Sequence, residues 1–324
     1  MAEVRYIHAV NRALGDAMAA DPTVVVIGED IGRPGGPFAA TRGLLERFGP
    51  ERVIDSPISE SSLASAAVGA AMSGLRPIIE IMFMDFTTLA MDALVNQAAK
   101  ARAMFGGQCS VPMVVRTPHG AGVGAGPQHS QCLEAWFAHV PGLKVVCPAT
   151  VADAYSLLRA AIDDPDPVIV VENKALYSAK GDLAETPEPA AIGHARLVRE
   201  GNDATLVTYG ATLNVALDAA RRLEGEGVSV DVIDLRSLQP WDEAVVLASL
   251  ARTHRLVVAH EAVEAFGVGA EIAARMADVG FDELDAPIVR VGGRFMPIPF
   301  SKSLERACMP DAERIVAAVR RTLA

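Results

Sequence analysis

Short runs of β-branched and aliphatic residues recur along the chain, separated by longer stretches with helical spacing. In the first part the runs are Val24–Ile27, Ile78–Phe83, Met113–Val115, Lys144–Cys147 and Val168–Val171. Strand, helix and strand in this succession predict parallel pairing, because a parallel neighbour is reached only through a crossover, and crossover helices cover both faces of the sheet. A second set follows with strands at Thr205–Thr208, Val228–Ile233, Leu256–Ala259 and Ile288–Val291, and helices near residues 212–226, 242–252, 269–278 and 311–323. Between the sets, Ser178–Gly193 is rich in Gly, Pro, Ala and charge and lacks an apolar period, which reads as a linker. At 324 residues the chain is long enough for two domains of about 150 residues each. The expectation is α/β, two domains, each a largely parallel sheet flanked by helices: residues 1–180, a linker over 181–200, and residues 201–324. Aliphatic residues must fill both cores, since 51% of the chain is hydrophobic and only 5% aromatic.

A formal charge of −11 argues against a nucleic-acid partner, whose binding rests on a basic patch. Cys109, Cys132, Cys147 and Cys308 have neither CxxC spacing nor the density of a disulfide scaffold, and read as free thiols in a reducing compartment. No run approaches the roughly 18 apolar residues needed to cross a bilayer, and the opening Met-Ala-Glu-Val-Arg-Tyr-Ile-His has no apolar targeting segment. A cytoplasmic protein without membrane association is expected.

Asp55-Ser-Pro-Ile-Ser-Glu60 sets one acid at the mouth of a stretch built almost wholly from small residues, Ser61 to Gly74. Pro57 ends what precedes it, Ser59 is a good N-cap, and an acid in a first helical turn gains roughly 0.3–1 kcal/mol from the helix dipole. Glu60 can therefore be a helix starter, or a carboxylate held where solvent is scarce for chemistry. Phe86, in Glu80-Ile-Met-Phe-Met-Asp-Phe86, ends a long apolar strand; Phe83 and Phe86 read either as core or as an aromatic face for a flat heterocycle.

Gly120-Ala-Gly-Val-Gly-Ala-Gly126 formally contains GxGxxA, a dinucleotide fingerprint. Pro127-Gln-His129 follows where a phosphate-binding helix should begin, and no acid stands about 20 positions on, so a flexible loop presenting His129 fits better. His129 is either structural or a group that exchanges protons near neutral pH. No P-loop, GxSxG or HExxH is present, nor the Gly-Asp-Gly pattern with following asparagines that grips magnesium diphosphate.

Ser56-Pro-Ile-Ser-Glu60, Glu80 to Phe86, Pro127-Gln-His-Ser-Gln131, His139-Val-Pro-Gly-Leu-Lys-Val-Val and Val232-Ile-Asp-Leu-Arg-Ser-Leu-Gln-Pro-Trp stand in one order along essentially the whole chain. Together they resemble the β subunit of the thiamine-diphosphate-dependent 2-oxo acid dehydrogenase first component, and also that of acetoin dehydrogenase. The resemblance implies a pyrimidine-binding domain followed by the carboxy-terminal domain shared with transketolases. An α subunit would supply the magnesium diphosphate grip in an α2β2 heterotetramer that works with a lipoyl acyltransferase core. By the same resemblance Glu60 hydrogen-bonds the aminopyrimidine ring, Phe86 faces that ring with Ile58 and Met82 lining it, and His129 serves acyl transfer to the lipoyl group. The carbonyls of Met113, Ala161, Ile162, Asp164 and Asp166 align with a potassium site of some members. Pyruvate is the first expectation for substrate, acetoin the second and branched-chain 2-oxo acids the third. A non-catalytic interaction subunit and an NAD-dependent oxidoreductase are the readings from other classes.

Overall fold

The structure, a computed structural model, describes residues 2–324. Its strands are β1 (Ala2–Arg5), β2 (Val24–Glu29), β3 (Val53–Ser56), β4 (Arg76–Glu80), β5 (Val114–His119), β6 (Lys144–Val146), β7 (Val168–Asn173) and β8 (Lys180–Leu183), then β9 (Arg196–Arg199), β10 (Ala204–Thr208), β11 (Val230–Asp234), β12 (Ser237–Gln239), β13 (Leu256–Val263) and β14 (Val289–Gly293). Two compact units form: the chain up to His119 with Trp136–Ile192, and Gly120–Ala135 with Gly193–Ala324.

In the first unit β6-β7-β5-β4-β2-β3 lie side by side, every pair parallel. Their near-continuous Val and Ile runs are what a strand covered on both faces requires, and β5 and β7 are buried at every position. From β2 the chain steps to β3 on one side, then returns to place β4 on the other. Such a reversal opens a crevice outside the carboxyl ends of the strands, where open α/β sheets bind ligands. Register sets Glu29 opposite Ser56 on β3 and Gly28 opposite Glu80 on β4, so two acids arrive at that crevice.

The second unit has the order β14-β13-β10-β11-β9, with β9 antiparallel at one edge and the others parallel. Val268–Val279 and Ala312–Leu323 are among its helices; the latter is strongly one-sided, burying Ile315, Val316 and Val319 while Arg320 and Arg321 face solvent.

Three readings need correction. The stretch 181–200 is no structureless linker: β8 pairs antiparallel with β1, Ala2 facing Leu183 and Arg5 facing Lys180, and β9 pairs with β11. Both are four-residue edge strands with almost no buried side chain, so they carry little period-2 signal. The apolar run from Ile78 does not continue as strand to Phe83 or Phe86; β4 stops at Glu80 and Met84–Ala90 is a 3₁₀ segment. Thr87 donates its hydroxyl to the Met84 carbonyl at 2.6 Å and Thr88 to that of Asp85 at 2.9 Å, which stabilises tight turns over extension. The Gly-rich run Gly120–Ala135, inside the span read as the first domain, clusters with the second unit.

Beneath the first crevice lies a buried charge cluster. Arg116 on β5 gives Glu172 on β7 a two-pronged pair, Nε to Oε1 and Nη2 to Oε2 both at 2.8 Å, and gives Nη1 to Glu80 Oε2 on β4 at 2.5 Å. Tyr177 donates its hydroxyl to Glu172 Oε2 at 2.8 Å. All three charged side chains are at most 6% exposed. Burial pushes Glu80 above the usual carboxylate range against the pull of Arg116, and drives the Tyr177 hydroxyl well up, with Glu172 adding to it. Replacing Arg116 with Met should lower unfolding free energy by about 3–5 kcal/mol, because two carboxylates lose their buried counter-charge. Urea titration near neutral pH checks this; a loss under about 1 kcal/mol would show that the cluster does not hold the strand ends.

Candidate cofactor half-site

The helix Glu60–Met72 starts at the edge of the first crevice. Its N-cap residue Ser59 caps nothing with its hydroxyl, which turns to the Pro57 carbonyl at 2.9 Å. Instead Glu29 Oε1, at the end of β2, accepts the Ser59 backbone N–H at 3.0 Å and fastens the helix start to the sheet. Glu60 is 5% exposed, and its carboxylate has no hydrogen-bond partner among the described residues. Burial raises the Glu29 carboxyl from its ordinary range; the Ser59 amide opposes the shift and the neighbouring Glu60 charge adds to it. Two acids thus share one end of the sheet, one bound to backbone and one open.

Ile58, two residues before Glu60, is 75% exposed, an apolar side chain presented to solvent beside a buried acid. Met82 and Phe86 are half-buried. Phe86 stands edge-on to Phe83, ring centres 6.0 Å apart at 87°, and Phe83 stands edge-on to Phe38 at 5.8 Å and 78°. Lys174 lies 5.6 Å over the Phe83 ring. The 3₁₀ turns therefore do more than a strand would: they bring Phe83 and Phe86, three residues apart, into one aromatic group.

His129 belongs to the second unit, half-buried on the loop that follows the glycines, where its N–H reaches the Gly126 carbonyl at 3.4 Å. The loop is held by acids. Glu305 Oε1 accepts the amides of Gly122 at 2.8 Å and Gly124 at 3.1 Å, and Glu261 Oε1 accepts that of Ala121 at 2.5 Å. Gly126, at φ +76°, is covered by the Phe300 ring, which a Cβ there would meet at 2.2 Å. Amides that a pyrophosphate would need are spent on the protein's own carboxylates, and no helix begins before Glu134. The dinucleotide reading does not survive this geometry.

Of the carbonyls expected at a potassium site, those of Ala161 and Ile162 lie in the last turn of the helix Val151–Asp163 and that of Asp164 at its C-cap. Oxygen donors at a helix carboxyl end suit a monovalent cation. Arg76 Nη1 already donates to the carbonyls of Ile162 at 2.8 Å and Asp164 at 3.3 Å, while the Met113 carbonyl accepts the Val168 amide at 3.0 Å. Lys144 bonds the Asp164 carboxylate and Arg102 that of Asp166, so three cationic side chains serve this corner. Glu29, Glu80 and Arg116 escaped the sequence reading. The signal available was an acid closing each of two apolar strands, Val-Val-Val-Ile-Gly-Glu29 and Pro-Ile-Ile-Glu80.

The fold and the acid at the sheet crossover define a chain of the transketolase type. Residues 2–180 match the family described as transketolase, pyrimidine binding domain, and residues 193–315 that described as transketolase, C-terminal domain. A solved split-gene transketolase, described as an inactive β4 tetramer, superposes with a TM-score of 0.81 over 99% of this chain and 98% of that one at 24% identity, a likeness of fold. Pyruvate dehydrogenase E1 component subunit beta-2 of Oryza sativa subsp. japonica, a mitochondrial protein, is 45% identical over 97% of this chain and 84% of its own. The subunit beta of Rhizobium meliloti is 44% identical over 99% and 70%. The beta subunit of an acetoin:2,6-dichlorophenolindophenol oxidoreductase from Bacillus subtilis is 44% identical over 95% and 94%. The chain belongs to the family of β subunits of the thiamine-diphosphate-dependent 2-oxo acid dehydrogenase first component. No helix among the described residues is long and apolar enough to cross a membrane.

The raised Glu29 carboxyl carries a pH signature. A folded value above the unfolded one of 4.5 means the folded chain binds the proton more tightly, so the stability from this group is present below that value and lost as pH rises through the folded one. Glu29→Gln keeps an acceptor for the Ser59 amide; relative to the parent it should be more stable at about pH 7 than at about pH 4. Denaturant titrations at the two pH values check this, and an offset that does not change with pH would show that Glu29 is not perturbed.

Proposed function

We propose that this chain supplies the pyrimidine half of a thiamine diphosphate site and, with an α subunit, carries out oxidative decarboxylation of a 2-oxo acid and acyl transfer to a lipoyl domain. Pyruvate is the substrate of first choice. The observation that carries the reading is the Glu60 carboxylate: buried, without a hydrogen-bond partner, at a helix start beside an exposed Ile58 and the crevice of a doubly wound sheet. No other group among the described residues hydrogen-bonds this carboxylate, so it is available to a ligand donor.

When bound, thiamine diphosphate supplies the electron sink that lets the bond to the departing carboxyl group break. Glu60 holds a proton at a ring nitrogen of the aminopyrimidine, and Glu29, through the Ser59 amide, keeps the Glu60 helix start in place. Ile58, Met82 and Phe86 give the ring its apolar contacts and exclude water. His129, on the second unit, moves a proton to or from the acyl acceptor. The unit of the chain up to His119 with Trp136–Ile192 is the pyrimidine-binding domain, and that of Gly120–Ala135 with Gly193–Ala324 the carboxy-terminal one. The magnesium diphosphate grip comes from the α subunit of an α2β2 heterotetramer in the cytoplasm, bound to a lipoyl acyltransferase core. A potassium ion at the carbonyls of Met113, Ala161, Ile162, Asp164 and Asp166 would share two of them with Arg76.

Acetoin cleavage is the second reading, supported by the 44% identity to the Bacillus subtilis subunit. Steady-state assays of the reconstituted complex on pyruvate and on acetoin separate the two.

Glu60→Gln should cut turnover by at least about a hundredfold with the assembly intact, since glutamine fills the space without serving as an acid. Near-normal turnover, measured beside size-exclusion profiles of both proteins, would remove Glu60 from the chemistry. The chain alone should bind thiamine diphosphate poorly in calorimetry and well once the α subunit is added. Tight magnesium-dependent binding without the partner would end the shared-site reading. His129→Ala should impair acyl transfer to a lipoyl domain more than decarboxylation with an artificial electron acceptor. Equal losses in the two assays would point to substrate binding or loop order instead.

A further inference from the structure

The second unit encloses a cavity of about 460 Å³, walled by the loop of Pro127 and Ser130–Leu133 on one side and by Gly293–Ile298 on another. His129 is not among its lining residues. The volume lies in the range of small-molecule sites, room for on the order of ten heavy atoms. Most of the wall is apolar: Leu133, Val263, Met296 and Met309, with the thiol of Cys308 reaching the Met296 sulfur at 3.6 Å.

Two polar groups in this wall have unspent capacity, and both can donate. Ser130 is 2% exposed, lines the cavity, and its hydroxyl has no hydrogen-bond partner among the described residues. A buried hydroxyl left so costs free energy unless something meets it. Arg294 also lines the cavity but is exposed, so its guanidinium stands where the cavity meets solvent. It is anchored by its N–H to the Cys308 carbonyl and by Nε to that of Ala307, both at 2.9 Å, and its Nη groups have no acceptor among the described residues. The one acid in the wall, Glu261, has an oxygen committed to the Ala121 amide. Unmet donors, an apolar body and a cation at the mouth select a ligand with an apolar chain and an anionic, acceptor-bearing head.

We propose that this cavity is a binding site for a small amphipathic carboxylate, its chain against Leu133, Val263, Met296 and Met309 and its head paired with Arg294, with Ser130 donating to an acceptor atom of the ligand. The site lies wholly within the second unit and stands or falls independently of the thiamine diphosphate reading.

Octanoate is the probe, and Cys132, a half-exposed thiol in the cavity wall, is the reporter. The rate of Cys132 alkylation by iodoacetamide, followed by peptide mass spectrometry on the full chain, should fall at least fivefold with saturating octanoate. Cys109, half-exposed on the first unit, should react at an unchanged rate and serves as the internal control. Octylamine, with the same chain and the opposite charge, should protect far less. Arg294→Gln should weaken octanoate about tenfold, Arg294→Lys should restore much of the loss, and Ser130→Ala should weaken it severalfold, with circular dichroism of each variant matching the parent. Absence of Cys132 protection by millimolar octanoate would overturn the proposal. So would equal protection by octylamine, or protection in Arg294→Gln as strong as in the parent.

Discussion

The guanidinium of Arg116, enclosed by Glu80 and Glu172, is the interaction on which the first unit depends. Side-by-side parallel strands are held along their length by backbone bonds and aliphatic contacts, but their carboxyl ends must open into a crevice and so lose neighbours. Arg116 ties β4, β5 and β7 together just where that happens. The chain leaves β4 at Glu80 and turns at once into the segment that carries Met82, Phe83 and Phe86. Their position is therefore inherited from a buried ion cluster.

A second theme is the use of carboxylates to hold backbone amides. Glu29 takes the amide of Ser59, Glu261 that of Ala121, and Glu305 those of Gly122 and Gly124. Each fixes the start of a helix or a glycine loop that would otherwise be free to sample many conformations, and charge-assisted bonds of this kind are stronger than neutral ones. The same arrangement fills the positions where another protein would bind phosphate. Glu60 is the acid left over, and its distinction from Glu29 lies in this: Glu29 has a backbone N–H and Glu60 has none.

Much of the fold was legible. Runs such as Val-Ile-Val-Val171 and Leu-Val-Val-Ala259 can hardly be anything but strands buried on both faces, and their spacing leaves room only for crossover helices. What misled was apolarity without direction. Ile78 to Phe86 is apolar but for Glu80 and Asp85 and has no clear period, so pattern did not show that the strand ends at Glu80, and the deciding bonds are those of Thr87 and Thr88 to carbonyls three residues back. Lys-Gly-Asp-Leu183 and Arg-Leu-Val-Arg199 are strands because a partner edge accepts them, which no local pattern records.

By itself, the sequence determined the class of fold and the presence of two units, because hydrophobic period acts within a few residues. Only the tertiary structure decided that Glu29 anchors Ser59 from 30 positions away, that Arg116 gathers acids from 36 and 56 positions away, and that the glycine loop is owned by Glu261 and Glu305. Those are contacts between charged groups whose partners are chosen by strand order and burial. A carboxylate's partner depends on what else is excluded from water around it, and that is settled only when the strands have been laid side by side.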